Sequence, residues 1–186
     1  MPQDIRLRRL PELGEREIAG LSGVLVDCVE GGASVSFLAP LSLARAAAYW
    51  RSLAASVARG ERVVIAAEET AAGIVGTVQL VLDLPENQPH RGDIAKMLVH
   101  RRARRRGVGA ALLAAAEQAA RDAARTLLVL DTASAAAARL YARHGWQRCG
   151  EIPDFALMPD GTPCATTVYF KSLRGGVAKL PGVIVK

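Results

Sequence analysis

The chain has 186 residues, of which 51% are hydrophobic and only 4% aromatic, and its formal net charge is +6. This length suits one domain with a sizeable core, built mainly from alanine, leucine and valine. No apolar run reaches the ~20 residues of a membrane-spanning helix, and the first residues lack the pattern of a signal peptide. Cys28, Cys149 and Cys164 fit neither a metal-site spacing nor a disulfide framework. We therefore expect a cytoplasmic protein without a metal or a membrane partner.

The N-terminal third of the chain predicts one strand and two helices. Residues 5–10 alternate as an edge strand does, and residues 15–29 carry apolar side chains at helical spacing. Residues 33–41 are expected to form a loop. Ser42 is a suitable cap for a second helix, which Gly60 ends.

The middle of the chain predicts a hairpin, a further strand and a long helix. Residues 62–68 and 73–84 are typical of paired strands, and residues 93–100 of a strand that follows a proline-rich break. Residues 107–125 have the pattern of an amphipathic helix, with Glu117 expected on its exposed face.

The last third predicts a buried strand, a short helix and two closing strands. Residues 126–130 form a nearly continuous apolar run, as in the centre of a sheet. A helix is expected over residues 135–144, and strands over 146–152 and 166–172.

This order of elements predicts an α/β fold with a mixed, mostly antiparallel central sheet and helices on both faces. We expect a single domain over residues 1–173 and a C-terminal tail over residues 174–186.

A basic loop precedes the long helix and is the clearest candidate for a binding site. Glycines at 107 and 109 let the backbone approach a ligand, and the start of a helix attracts anions. Most of the excess positive charge lies just before them, in Arg101, Arg102, Arg104, Arg105 and Arg106. A phosphate-bearing cofactor is the favoured ligand, while a merely solvated loop and a nucleic-acid site stay open.

Four segments, taken together, resemble the GNAT superfamily of acetyl-CoA-dependent N-acetyltransferases. They are Met97-Leu98-Val99-His100, Arg104-x-x-Gly107-x-Gly109, Ser134-x-x-Ala137-x-x-Leu140-Tyr141 and His144-Gly145-Trp146. Residues 95–100, 127–132 and 152–157 also look like the tabtoxin-resistance branch of that superfamily. The resemblance implies a GNAT-like fold, acetyl-CoA as co-substrate, and direct transfer of the acetyl group to an amine or a hydroxyl of a small polar molecule. The branch implies that this molecule is an antibiotic or a toxin.

The resemblance also implies which residues hold the cofactor. The main chain of residues 97–99 would bind the pantetheine arm, and residues 104–110 the pyrophosphate. The implied set comprises Met97, Leu98, Val99, Arg104, Arg105, Arg106, Gly107, Val108, Gly109, Ala110 and Ser134. Ser134 stands where the family has asparagine. A serine can still cap the helix or bond the cofactor, but its reach is shorter.

Tyr141 matches the general acid of the family, which protonates the departing thiolate. The general base that takes the proton of the amine is either Asp93 or Asp131, each of which comes at a strand end. Asp131 is slightly favoured in this branch. A carboxylate at a strand end is also a common helix cap, so both structural roles stay open.

Phe37 and Trp50 are candidates to line the acceptor pocket, although Trp50 also suits the core. The expected partners are coenzyme A and a small amine, with no nucleic acid and with a homodimer left open. A non-catalytic acyl-CoA-binding module and a protein N-acetyltransferase are the alternatives.

Overall fold

The computed structural model describes residues 4–174, which form a seven-stranded sheet covered by helices on both faces. The strands are β1 (Ile5–Leu10), β2 (Arg62–Glu69), β3 (Gly73–Val81), β4 (Arg91–Val99), β5 (Leu127–Thr132), β6 (Gln147–Leu157) and β7 (Pro163–Ser172). The helices are α1 (Glu15–Glu30), α2 (Leu43–Ala58), α3 (Val108–Asp122) and α4 (Ala135–Arg143), with a 3-10 turn at Arg101–Ala103. The strand order is β1-β2-β3-β4-β5-β7-β6, and every neighbouring pair is antiparallel except β4 and β5. The predicted fold class is confirmed.

Every predicted helix and strand up to α4 is found within a few residues of its expected bounds. Ser42 caps α2 as expected, since its hydroxyl accepts from the backbone N–H of Arg45 at 3.2 Å. Within residues 4–174, no helix has the length and apolar content needed to cross a bilayer. The predicted tail lies outside the described residues from position 175 onward.

The two closing strands are longer than predicted. β6 continues past Ile152, where the expected strand stopped, because an irregularity between Ile152 and Ala156 interrupts the pairing with β7 without ending it. Asp154, within that irregularity, has a φ of 50°. Pro153 and the left-handed Asp154 weaken the strand pattern in the sequence, whereas pairing with β7 keeps this segment in the sheet.

Two hydrophobic cores hold the helices against the sheet. α1 and α2 pack on one face, where Trp50, Leu21 and Leu25 are fully buried. α3 packs on the other face through Leu112 and Leu113. The sheet therefore has an α1–α2 side and an α3–α4 side.

Glu117 is buried on α3, and the prediction that it faces solvent is wrong. It is 7% exposed and accepts from Trp146 Nε1 at 2.9 Å and from Lys171 Nζ at 2.6 Å. Its spacing to Arg121 had indicated a surface pair, yet those two charges lie 4.0 Å apart. The closer partners come from β7 and from the residue before β6, which helical spacing does not reveal.

The sheet opens between β4 and β5, its only parallel neighbours. Their pairing ends at Asp93 and Val129, after three residue pairs. On its other edge β4 carries a bulge, because Lys96 and Met97 lie between the residues paired with Gln79 and Thr77. Lys96 has a φ of 47° at this point. Since a bulge bends its strand, β4 turns away from β5 and a cleft forms between them.

We expect Glu117→Ala to destabilise the fold by about 3 kcal/mol, because the change leaves a largely buried lysine charge and an indole N–H without their acceptor. Urea unfolding followed by circular dichroism measures the loss. Glu151→Ala is the matched control, since its partner Arg148 is solvent-exposed and the pair is worth at most about 1 kcal/mol. Equal losses for the two variants would contradict the structural role of Glu117.

Candidate functional site

The opening between β4 and β5 is a cleft of about 1070 Å³. Its walls are the second half of β4, the end of β5, the start of α3, one side of α4, the end of β6 and the start of β7. Residues 34–36, in the loop between α1 and α2, border the same cleft. Most of the predicted site residues therefore meet around one cavity, although they come from four separate parts of the chain.

The loop before α3 has the backbone geometry of an anion site. Arg105 and Gly107 have φ values of 61° and 79°, and the first helical hydrogen bond runs from Ala111 N to Gly107 O at 3.1 Å. The N–H groups of residues 108–110 precede that bond and have no partner within the helix. Left-handed residues next to a helix start turn successive N–H groups toward one point, which suits a phosphate group.

Two of the loop arginines border the cleft. Arg104 Nε donates to the carbonyl oxygen of Val99 at 3.1 Å, which holds the loop against the end of β4. Arg105 also lines the cleft and is exposed. These two guanidinium groups are in position to add positive charge to the anion site.

The side chain of Arg106 points away from the anion site, and the prediction that it adds positive charge there is wrong. Its Nη1 donates to Glu69 at 2.7 Å, and its Nη2 lies 3.1 Å from Asp4, at the β1–β2 edge of the sheet. Arg101 and Arg102 are likewise engaged elsewhere, by Asp27 at 2.8 Å and by the carbonyl of Ala72 at 2.9 Å.

Residues 97–99 border the cleft along the unpaired edge of β4. The side chain of Leu98 is buried in the α1–α2 core, while Met97 and Val99 pack partly against the α3 core. Their side chains thus serve packing. What β4 offers to a ligand in the cleft is its backbone, which has no β5 partner after Asp93.

Tyr141 reaches the cleft from α4 and is 4% exposed. Its ring packs against the rings of Trp146 and Tyr169, with both centroid distances at 5.9 Å. Burial, together with the negative charge of Asp131, raises the pKa of the Tyr141 hydroxyl well above its usual range. The hydroxyl therefore keeps its proton at neutral pH, as a hydrogen-bond donor in the cleft must.

Asp131 and Asp93 occupy different environments. Asp131 lies exposed in the cleft at the end of β5, where its Oδ2 accepts from the Thr166 hydroxyl at 2.7 Å. Asp93 lies at the last β4–β5 pairing, where the strands have not yet parted, and its Oδ2 is 3.1 Å from Arg91 Nη2. Burial raises the pKa of Asp93 despite that arginine. The cleft thus brings Asp131 together with Tyr141 and leaves Asp93 outside its lining.

Ser134 is the N-cap of α4 and borders the cleft. Its hydroxyl accepts from Ala137 N at 3.3 Å, and its own N–H donates to Thr132 Oγ1 at 3.0 Å. The capping role of this serine is confirmed by these bonds, whereas a contact with a cofactor stays a prediction.

Trp50 does not line an acceptor pocket, and that prediction is wrong. Its side chain is 0% exposed in the α1–α2 core. Phe37 is half-buried and packs edge-on against Tyr49 with ring centroids 5.4 Å apart, one residue beyond Ser36 of the cleft wall. Its contact with an acceptor stays a prediction. An apolar pattern cannot distinguish a core aromatic from a pocket aromatic, because both lie on the buried face of a helix or loop.

The polar residues of the cleft that sequence reasoning missed include Lys96, Thr166 and Arg143. For Lys96 the available signal was a charged residue among the apolar residues 94–99. Nothing in the sequence marks Thr166 or Arg143, because their place in the cleft depends on the pairing of β7 with β5 and on the packing of α4.

Residues 59–148 match the family model of the acetyltransferase (GNAT) domain. This part of the chain, just under half of its length, is similar to the GNAT acetyltransferase domain. The matched range contains residues 104–107, which form the loop before α3 and are called the anion loop below, together with Asp131 and Tyr141. The match supports the resemblance to the superfamily seen in the sequence. It excludes α1, α2 and the β7 wall of the cleft. The tabtoxin-resistance branch stays a prediction.

Solved structures show the same fold along nearly the whole chain. A ribosomal-protein-alanine N-acetyltransferase from Brucella melitensis is 21% identical with a TM-score of 0.74, covering 90% of this chain and 99% of its own. A protein from Salmonella typhimurium assigned as an acetyltransferase, with its cofactor acetyl-CoA, is 16% identical with a TM-score of 0.74, covering 95% and 98%. An N-acetyltransferase from Staphylococcus aureus Mu50 is 14% identical with a TM-score of 0.75, covering 92% and 100%. At these identities the likeness extends to the fold.

We expect Gly107→Ala to destabilise the fold by about 1–2 kcal/mol, because a side chain at this positive φ strains the start of α3. Thermal unfolding measures the effect. Gly109→Ala is the matched control: its new Cβ would lie 3.3 Å from Leu140 Cδ2, a tight contact that the ~1 kcal/mol helix preference of alanine offsets. A larger loss for Gly109→Ala would show that packing, not backbone conformation, limits this loop.

Proposed function

We propose that this protein is an acetyl-CoA-dependent N-acetyltransferase that acts on the amine of a small polar molecule. The observation that carries the proposal is the convergence of four features on one cleft. These are the unpaired edge of β4, the anion loop before α3, the carboxylate of Asp131 and the hydroxyl of Tyr141.

The residues on the α3–α4 side of the sheet fit the donor. The N–H groups of residues 108–110 and the side chains of Arg104 and Arg105 would hold the pyrophosphate, and the free edge of β4 would pair with the pantetheine arm. When bound, acetyl-CoA supplies an acetyl group activated as a thioester.

Asp131 is the proposed general base. It lies in the cleft, it is exposed, and the Thr166 hydroxyl holds one of its oxygens at 2.7 Å. That bond fixes the carboxylate and leaves its other oxygen to accept a proton from the acceptor amine, directly or through a water. Asp93 remains the alternative. Asp131 is favoured because Asp93 is bonded to Arg91 and does not line the cleft.

Tyr141 is the proposed general acid. Its hydroxyl keeps a proton through neutral pH and lies in the same cleft as Asp131. It would donate that proton to the sulfur as the thiolate departs, while Asp131 takes one from the nitrogen. Transfer would thus be direct, with no acylated residue of the chain.

The cover over the cleft favours a small acceptor. The loop between α1 and α2 is joined to the β6–β7 hairpin, since Ser34 Oγ donates to the carbonyl of Leu157 and Ala39 N donates to that of Pro159, each at 2.9 Å. These bonds join two segments that both border the cleft, and the joined segments would narrow its opening. An antibiotic-like or toxin-like amine, as in the tabtoxin-resistance branch, passes such a cover more readily than a folded protein does. A protein N-terminus is the second candidate acceptor.

A cytoplasmic location belongs to the same proposal, and the absence of disulfides among Cys28, Cys149 and Cys164 is consistent with it. We also propose that residues 1–173 form a single domain. A homodimer stays open.

Acetyl-CoA at about 100 times its Kd should raise the melting temperature by roughly 5–10 °C, because it binds only the folded chain.

Arg105→Gln should weaken acetyl-CoA binding by about 3- to 10-fold, since it removes a cation that lines the cleft. Isothermal titration calorimetry and thermal shift give both values.

Arg106→Gln is the matched control for that experiment. It removes the same charge from the next residue of the loop but breaks contacts to Glu69 and Asp4, so it should lower the melting temperature without changing the Kd. If both variants bind acetyl-CoA like the parent, the loop is not the pyrophosphate site.

Tyr141→Phe and Asp131→Asn should each lower kcat by about 10²- to 10⁴-fold, because each removes one proton transfer. Acetyl-CoA binding should change little. The assay is release of free thiol from acetyl-CoA, screened over amino acids, aminoglycosides, β-lactam-like toxins and peptide N-termini.

Asp93→Asn serves as the comparison carboxylate, and it should leave most of the activity in place. A larger loss in Asp93→Asn than in Asp131→Asn would reverse the assignment of the base. Thiol release with no amine, despite tight acetyl-CoA binding, would identify a non-catalytic acyl-CoA-binding module instead.

A further inference from the structure

Lys96 is a half-buried cation in the wall of the cleft that the proposed chemistry does not use. It lies at the β4 bulge, with a φ of 47°, between the residues that pair with Gln79 and Thr77. The bulge therefore does more than free the backbone of β4, since it also sets the direction of this side chain.

The ammonium group of Lys96 is held by neutral groups. Its Nζ donates to Ser36 Oγ at 3.0 Å and lies 5.4 Å from the centre of the Tyr49 ring. Both partners position a cation, yet neither carries the negative charge that a half-buried ammonium group requires. Burial and the nearby Arg62 lower the pKa of Lys96, while Asp131 acts in the opposite direction.

The lysine belongs to the acceptor side of the sheet. Ser36 and Tyr49 lie in the α1–α2 loop and in α2, whereas the anion loop begins α3 on the other face. The donor's phosphates are thus expected on the opposite side from Lys96. A negative group that meets this ammonium would come from the acceptor.

Asp131 supplies the complementary charge on the other wall. Both residues line the same cleft, with Asp131 bonded to Thr166 and Lys96 bonded to Ser36. A molecule with an amine and a carboxylate would place the amine at Asp131 and the carboxylate at Lys96. One with the amine alone would leave Lys96 with no negative charge nearby except that of Asp131, which it would have to share with the amine.

We propose that the acceptor is an amine that also carries a carboxylate, such as an amino acid or a short peptide-like molecule, and that Lys96 binds this carboxylate. The inference rests on the proposed acetyl transfer and names its substrate class. Lys96 is a specificity residue here, and it takes no part in moving protons.

The test compares matched acceptors that differ only in the carboxylate. l-Amino acids and dipeptides are assayed beside their C-terminal carboxamides, with thiol release from acetyl-CoA as the readout. The parent protein should prefer the free acids, and Lys96→Met should lower the acid-to-amide ratio of kcat/KM by roughly 10- to 100-fold, mainly through KM. Because the carboxamide also changes the basicity of the neighbouring amine, the measured quantity is the change in this ratio between parent and variant, in which that effect cancels.

Two further variants separate charge from structure. Lys96→Arg keeps the cation and should retain most of the preference. Arg6→Gln removes one exposed charge from β1, at the far edge of the sheet, and should leave the ratio unchanged. The acetyl-CoA thermal shift of Lys96→Met should equal that of the parent, which shows that the variant is folded and that the donor side is intact.

Turnover of amines without a preference for the free acid, or a preference that Lys96→Met leaves intact, would overturn this inference while leaving acetyl transfer standing. No thiol release with any class of amine would overturn the acetyl transfer itself, and the acceptor assignment with it.

Discussion

The parting of β4 from β5 is the constraint on which the rest of the molecule depends. Two parallel strands pair for three residues and then separate, because the bulge at Lys96 and Met97 bends β4 away. A closed sheet would satisfy the backbone of β4 and leave no room for a ligand. Here the unpaired edge of β4 becomes one wall of the cleft. Asp131, Tyr141 and the anion loop border the same cleft.

The rest of the fold holds that opening apart. α3 packs on one face of the sheet, and α1 and α2 pack on the other. The sheet is therefore held between these helices on both of its faces. Glu117 joins the second half of α3 to Trp146 and to Lys171 of β7, which fixes the helix with respect to the sheet. Because these partners come from separate elements, one buried carboxylate links three parts of the chain.

The sheet also divides the chemistry between its two faces. The anion loop and Tyr141 lie with α3 and α4, and Lys96, Ser36 and Tyr49 lie with α1 and α2. Asp131 is at the end of β5, between the two groups. A donor and an acceptor entering from opposite faces would therefore meet at the carboxylate, which suits a direct transfer.

The sequence alone was enough to predict the order of elements, the fold class and the anion loop, because periodicity, capping residues and glycine spacing are local properties. Ser42, Ser134 and the residues around Gly107 act within a few positions along the chain, and their predicted structures agree with the observed ones. Tertiary contacts decided what local patterns could not. They buried Glu117 and Trp50, turned Arg106 toward Glu69, separated Asp93 from Asp131 and placed Lys96 opposite the proposed base. The direction of a charged or aromatic side chain depends on which distant element packs against it, and sequence spacing carries no record of that choice.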